Sequence, residues 1–123
     1  MPTIDGHFDP TIQQCIQNCN DAQSSCLRTM EHCLGLGGKH AQGDHIRLFL
    51  NCAQICRANA DFMLTGSPFY HLTCAACAVL CAQCADSCEA VGPDDAVMLA
   101  CADTCRRAEA TCKELSRDTR QVA

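Results

Sequence analysis

Residues 74–88 read Cys74-Ala75-Ala76-Cys77-Ala78-Val79-Leu80-Cys81-Ala82-Gln83-Cys84-Ala85-Asp86-Ser87-Cys88. The five cysteines are separated by 3, 4, 3 and 4 residues. An α-helix turns once in about 3.6 residues, so alternating steps of three and four keep one residue type on one face. The stretch therefore reads as a helix with a sulfur stripe. The other cysteines repeat the pattern. Cys15, Cys19, Cys26 and Cys33 are separated by 4, 7 and 7, Cys52 and Cys56 by 4, and Cys101, Cys105 and Cys112 by 4 and 7. These are the spacings of an a/d seam that faces a bundle axis. Ala22 and Ala108 fall on the same seams between cysteines. Ile16, Leu27, Ile55, Val79 and Leu80 lie beside the seams and are expected to seal neighbouring helices.

Punctuation outside the seams sets the helix ends. Asp9-Pro10 suits an N-cap and first helical position, and Gly35-Leu36-Gly37-Gly38 a stop. Asp44 is the expected cap of a second helix, and Ser67-Pro68 the cap and start of a third. Gly92-Pro93 breaks the chain before Asp94-Asp95, which favour a helix start. The expected helices cover residues 10–34, 44–64, 68–91 and 93–117, with 1–9 a flexible leader and 118–123 a flexible tail. Short connections make sequential helices antiparallel. The expected fold is all-α: one domain over residues 1–123, an antiparallel up-down four-helix bundle with a Cys-lined core.

Composition agrees. Ile, Leu, Val and Phe together number 23 in 123 residues, whereas Ala supplies 17 and Cys 14. So few aliphatics usually argue for disorder. The net charge of only −5 does not, and buried Cys and Ala can supply the missing interior. One Tyr and no Trp argue against a β-sandwich. Nine scattered Lys and Arg make a nucleic-acid partner improbable. No uninterrupted apolar run approaches the length of a membrane span, so no membrane association is expected. Met1 to Pro10 has neither a basic start nor an apolar stretch, so no signal peptide and a cytoplasmic location are expected. In a reducing compartment, fourteen cysteines point to thiolate–metal chemistry rather than disulfides.

Intrahelical disulfides are disfavoured by distance. Residues at i and i+4 hold their Cβ atoms about 5–6 Å apart, too far for an S–S bond. Two sulfurs can still converge on one ion, and Cys15/Cys19, Cys52/Cys56, Cys77/Cys81, Cys84/Cys88 and Cys101/Cys105 all qualify. Thiolates select Cu(I), Zn(II) or iron–sulfur clusters. Fourteen buried thiolates would carry about −14, which a similar number of Cu(I) ions would neutralise. Three or four Zn(II) ions would leave roughly −7. Charge balance and tolerance of low coordination favour multiple Cu(I) ions. A zinc or mixed-metal thiolate buffer and a thiol-based redox protein or sensor are the alternatives.

The CxxC pairs Cys74/Cys77 and Cys81/Cys84 lie within one helical repeat and lack the preceding strand of a thioredoxin site. The ferredoxin spacing differs as well. The expected metal ligands are Cys15, Cys19, Cys26, Cys33, Cys52, Cys56, Cys74, Cys77, Cys81, Cys84, Cys88, Cys101, Cys105 and Cys112, with His32 and Met98 at one end of the bundle. His45 and Met30 lie at that end with weaker claims. His7 and His40 read as solvated, and His71 and Met63 as packing residues at the opposite end. Ser24, Ser25 and Ser67 have no base beside them, and no enzyme activity is expected.

From about Cys15 to Leu115 the chain resembles the bacterial copper storage proteins. The matching stretches are Cys52-Ala53-Gln54-Ile55-Cys56, Gly66-Ser67-Pro68-Phe69, the run from Cys74 to Cys84, and Cys101-Ala102-Asp103-Thr104-Cys105. The resemblance implies a homotetramer of bundles, each filled with Cu(I) on thiolates, with histidines and methionines at one open end. His32-Cys33 matches a His-Cys pair near that mouth. The missing export signal looks like the cytosolic branch. The chain departs from cytosolic relatives in lacking their histidine cluster at Gly92-Pro93-Asp94-Asp95. Ala22 and Ala108 stand where some relatives carry further cysteines. The resemblance thus implies a cytosolic copper storage and detoxification protein of less than the highest capacity.

Overall fold

The computed structural model describes residues 9–117. The leader and tail expectations, and His7, lie outside the described residues. Four helices follow in order: α1, Pro10–Leu36; α2, Gly43–Leu64; α3, Tyr70–Val91; and α4, Ala96–Ser116. A 3-10 turn, Gly38–Ala41, sits in the first connection. The main contacts join α1 to α2, α2 to α3, α3 to α4 and α4 to α1. That is the square of an up-down four-helix bundle.

The ends show which local signals prevailed. Asp9 caps α1, its carboxylate accepting from Thr11 N at 2.8 Å and Ile12 N at 3.4 Å. Gly37, at φ +71°, ends it in a conformation that favours glycine. Asp95 caps α4 in the same way, accepting from Val97 N at 2.9 Å and Met98 N at 3.0 Å. The fourth helix therefore starts after Asp95 rather than at Pro93. Asp44 is not a cap: α2 starts at Gly43, after Gln42, and Asp44 adds negative charge inside the first turn. Ser67 and Pro68 form a turn before α3, where Ser67 Oγ accepts from Phe69 N at 3.1 Å.

All fourteen cysteines are buried, none more than 1% exposed, and Ala22 and Ala108 are buried with them. The flanking aliphatics divide. Ile16 and Ile55 pack against the core, whereas Leu27 and Val79 face outward, Val79 at 61% exposure. A residue beside a narrow seam lies near the edge of the buried arc, so a small rotation of the helix decides its fate. Helix α3 is apolar over part of its outward face as well, where Leu72 and Val79 are exposed, although Asp86 and Glu89 pair with Arg106 nearer its end. It is the one described helix long and apolar enough to cross a membrane by composition, with a mean hydropathy of 1.3. Counting uninterrupted runs overlooks this, because Ala and Cys raise the average between polar residues. Its cysteine face lies inside the bundle.

Candidate metal centre

The seams meet in groups of sulfurs drawn from two, three or four helices. Near the middle, the sulfurs of Cys26 (α1), Cys52 (α2), Cys84 (α3) and Cys105 (α4) lie within 4.8 Å of one another. Cys26 Sγ is 3.6 Å from Cys105 Sγ and 3.8 Å from Cys84 Sγ. Below this tetrad, Cys52, Cys56 and Cys81 form one triad, and Cys19, Cys56 and Cys77 another. Cys15, Cys19 and Cys112 form a third, with Cys15 and Cys112 at 3.5 Å. Shared members make the groups a continuous sulfur column. All fourteen thiols are free. The Cys77–Cys81 pair lies at 3.8 Å. Cys15/Cys19 and Cys52/Cys56 share triads. Cys84 and Cys105 instead enter the tetrad through cross-helix neighbours.

The column polarises its own thiols. Donation from Cys112, then from Cys15 and Cys56, lowers the Cys19 pKa to about 6. Cys52 is lowered by neighbours led by Cys105, whereas Cys84 is raised by neighbours led by Cys101. A sulfur that accepts S–H bonds from its neighbours is thus the easier one to deprotonate, and a neighbour that donates holds its proton more firmly. An arriving cation that replaces those protons meets sulfur on several sides.

The upper end differs. Cys33 donates its S–H to Met98 Sδ at 3.0 Å and lies 3.6 Å from His45 Nε2. His45 is only 4% exposed, so it is not the surface residue its first-turn position suggests. Its Nδ1 lies 2.7 Å from Ser87 Oγ, which fixes the ring with Nε2 towards the sulfur. It also stacks edge-on to Phe49, with centroids 4.6 Å apart. Burial, then His40, lowers its pKa, keeping the imidazole neutral. Burial, then the Asp95 carboxylate, raises Cys33 to about 11. His32 Nε2 lies 2.8 Å from Asp95 Oδ2 rather than on a sulfur. That contact leads the causes that lower the Asp95 pKa. Met30 is half-buried against the core, and His40 is half-exposed on the 3-10 turn.

Gly92 leaves the space Met98 occupies. A Cβ there would lie 2.8 Å from Met98 Cγ and 3.1 Å from Met98 Cβ. Gly92→Ala is expected to push Met98 off Cys33 and to destabilise the chain by about 1–3 kcal/mol. A urea midpoint unchanged from wild type would contradict this.

Sequence reading missed Asn59, which is fully buried in the column. Its Nδ2 donates to Cys112 Sγ at 3.4 Å and Cys19 Sγ at 3.5 Å. Its Oδ1 accepts from Thr73 Oγ1 at 2.7 Å and Cys74 Sγ at 3.3 Å. The signal was available: Asn59 continues the three–four alternation of His45, Phe49, Cys52 and Cys56 on α2. Asn18 was missed too; it ties α1 to α4 through Arg107 O at 3.4 Å and Thr111 Oγ1 at 3.3 Å.

The described bundle coincides with a match to known proteins. A family model described as copper storage protein matches residues 9–117. The uncharacterized cysteine-rich protein YhjQ of Bacillus subtilis is 32% identical over 105 residues, 85% of this chain and 92% of that protein. A crystal structure from Nitrosospira multiformis is similar, with TM-score 0.81 and 42% identity, covering 88% of this chain and 96% of that one. The Cu(I)-bound copper storage protein BsCsp3 gives a TM-score of 0.78 and 32% identity, with 86% and 98% covered. A cytosolic copper storage protein from Streptomyces lividans, described with five coppers, gives 0.75 and 25%, with 86% and 92% covered.

Proposed function

Because the chain belongs to the copper storage protein family, we propose that it stores copper in the cytoplasm, holding several Cu(I) ions on the thiolates of its buried column. The observation that carries this reading is the tetrad of Cys26, Cys52, Cys84 and Cys105, one sulfur from each helix within 4.8 Å. No single helix could build it. Thiolates match a soft monovalent cation, and each ion cancels one buried negative charge. The cytoplasmic location is supported by the Streptomyces lividans relative, which is described as cytosolic, and by fourteen free thiols. The family is described by storage, and the chain is not proposed to be an enzyme.

The ligands we assign are the fourteen cysteines together with Met98 and His32. To these the geometry adds His45. Cys33, His45 and Met98 form an inner port of one thiol, one imidazole and one thioether. His32 stands outside it at the rim, shared with Asp95. An ion held at the port with a single thiolate is neutral overall, which suits passage into the column. Its arrival displaces the proton that burial, then the Asp95 carboxylate, favours on Cys33.

A homotetramer is part of the proposal. Its support is the outward face of α3, where Leu72 is 59% and Val79 is 61% exposed, with Ala75 and Ala76 between them. An apolar stripe of this kind suits another copy of the chain. Sedimentation equilibrium that returned only the monomer mass would remove it.

The function is tested by anaerobic titration of the reduced chain with Cu(I) against a chromophoric chelator. More than about four ions per chain are expected, with release of about one proton per thiolate engaged. Saturation at fewer ions, or preferential retention of Zn(II) under competition, would overturn copper storage.

A further inference from the structure

The end of the bundle opposite the port also carries chemistry. Ile12 (α1), Met63 (α2), His71 (α3) and Leu115 (α4) close it, one residue from each helix and all buried. They lie one turn beyond a layer of Cys15, Asn59, Cys74 and Cys112, itself joined by the Cys15–Cys112, Asn59–Cys112 and Cys74–Asn59 contacts. His71 stands three residues before Cys74, about 4.5 Å along α3. Met63 stands four residues after Asn59, about 6 Å along α2. Cys74 and Asn59 are in contact at 3.3 Å, so the imidazole and the thioether arise at nearly the same height.

His71 is 6% exposed, yet both ring nitrogens are buried without a hydrogen-bond partner. Among the described residues the half-exposed His40 has one such nitrogen, and His71 is the one side chain with two. His45 is engaged at both nitrogens and Asn59 at both polar atoms. Packing accounts for Ile12, Leu115 and a thioether, but not for an imidazole with nothing to bind. Helical side chains lean towards their own N-terminus. Cys15 and Cys74, on the two helices that begin at this end, therefore lean towards the His71 layer, while His71, also on α3, leans towards the end of the bundle. Met63, on a helix that ends there, leans back towards the sulfurs.

We infer that this base is a second terminal copper site, in which the His71 imidazole, with Cys74 and Met63 beside it, takes Cu(I). The column then ends at both poles in one imidazole and one thioether: His45 and Met98 above, His71 and Met63 below. Binding forms a Cu–N bond to a ring nitrogen of His71 and a Cu–S bond to Cys74, whose proton passes to solvent. A thioether and thiols around one nitrogen suit a soft cation rather than Mg(II) or Ca(II). The inference rests on the copper storage reading.

Long-range proton–nitrogen spectra of the imidazoles, recorded on the reduced full-length chain during anaerobic Cu(I) titration, test it. One ring nitrogen of His71 is expected to shift as copper fills the base. His71→Phe, which keeps the packing volume, is expected to bind about one Cu(I) fewer per chain with its thiol count unchanged. His71 resonances that stay fixed to saturation while the thiols load would overturn the base site and leave storage standing. No copper uptake at all would remove both. If His71→Phe fails to fold, the wild-type spectra decide alone.

Discussion

Serine at Cys26, Cys52, Cys84 and Cys105 together is expected to cut Cu(I) capacity by roughly a quarter to a third and to split the loading curve in two. The four sulfurs are the one group among the described residues in which every helix contributes a ligand within 4.8 Å. Removing them takes away four of fourteen negative charges that copper would otherwise neutralise. It also takes Cys52 out of its triad with Cys56 and Cys81, and so interrupts the column above the Cys19–Cys56–Cys77 triad. Serine is close to cysteine in size, so the cavity term is small. Each buried hydroxyl needs a partner, at a cost of about 1 kcal/mol where one is poor. The variant should therefore remain helical but less stable. Chelator competition on the folded variant reads the capacity. A value equal to wild type would mean that the tetrad is packing and that copper is held elsewhere.

The second large effect is on stability. The apo bundle has few aliphatic side chains, and its interior contacts are mostly S–H···S pairs at 3.5–3.9 Å, such as Cys15–Cys112 and Cys19–Cys77. Such pairs are weak compared with a packed Leu or Ile seam. Each ion that binds only the folded chain adds RT ln(1 + [L]/Kd), about 2.7 kcal/mol at a hundredfold excess over Kd. Several ions together would exceed about 10 kcal/mol, comparable with the whole stability of an ordinary domain. At about 3–5 °C per kcal/mol for a chain of this size, loading should raise Tm by at least about 20 °C. A chelator should reverse the gain. A thiol sensor would behave differently, with Tm following peroxide and dithiothreitol rather than copper. Melting curves of reduced apo and loaded protein that coincide would count against storage, whatever ions adhere.

Much of this was legible before any coordinates. Steps of 3, 4 and 7 turned fourteen cysteines and two alanines inward, and all sixteen are buried. Asp9 announced the start of α1, and the Gly35-Leu36-Gly37-Gly38 cluster its end, which falls at Leu36 rather than at residue 34. The reading fell short where it stopped counting at sulfur. Carried one step further, the same alternation on α2 reaches His45 and Phe49 in one direction and Asn59 and Met63 in the other, all of them buried. Asp44 and Ser67 carried genuine cap chemistry, but nearby backbone conformation placed the helix starts elsewhere. By sequence His32 and His45 both lie near the mouth, with His32 the expected ligand and His45 the weaker candidate. Their roles separated only when Asp95 took one ring and Ser87 held the other towards Cys33.

Periodicity is an angle measured around one helix. The order of residues was therefore sufficient to tell which sides turn inward, and hence that the interior is sulfur. The height at which one helix meets another is a distance fixed by loop length and by contacts between residues far apart in the chain. Only the packed bundle decided that Cys26 meets Cys52, Cys84 and Cys105, that Cys33 ends against Met98 and His45, and that Asn59 stands among the thiols at the base.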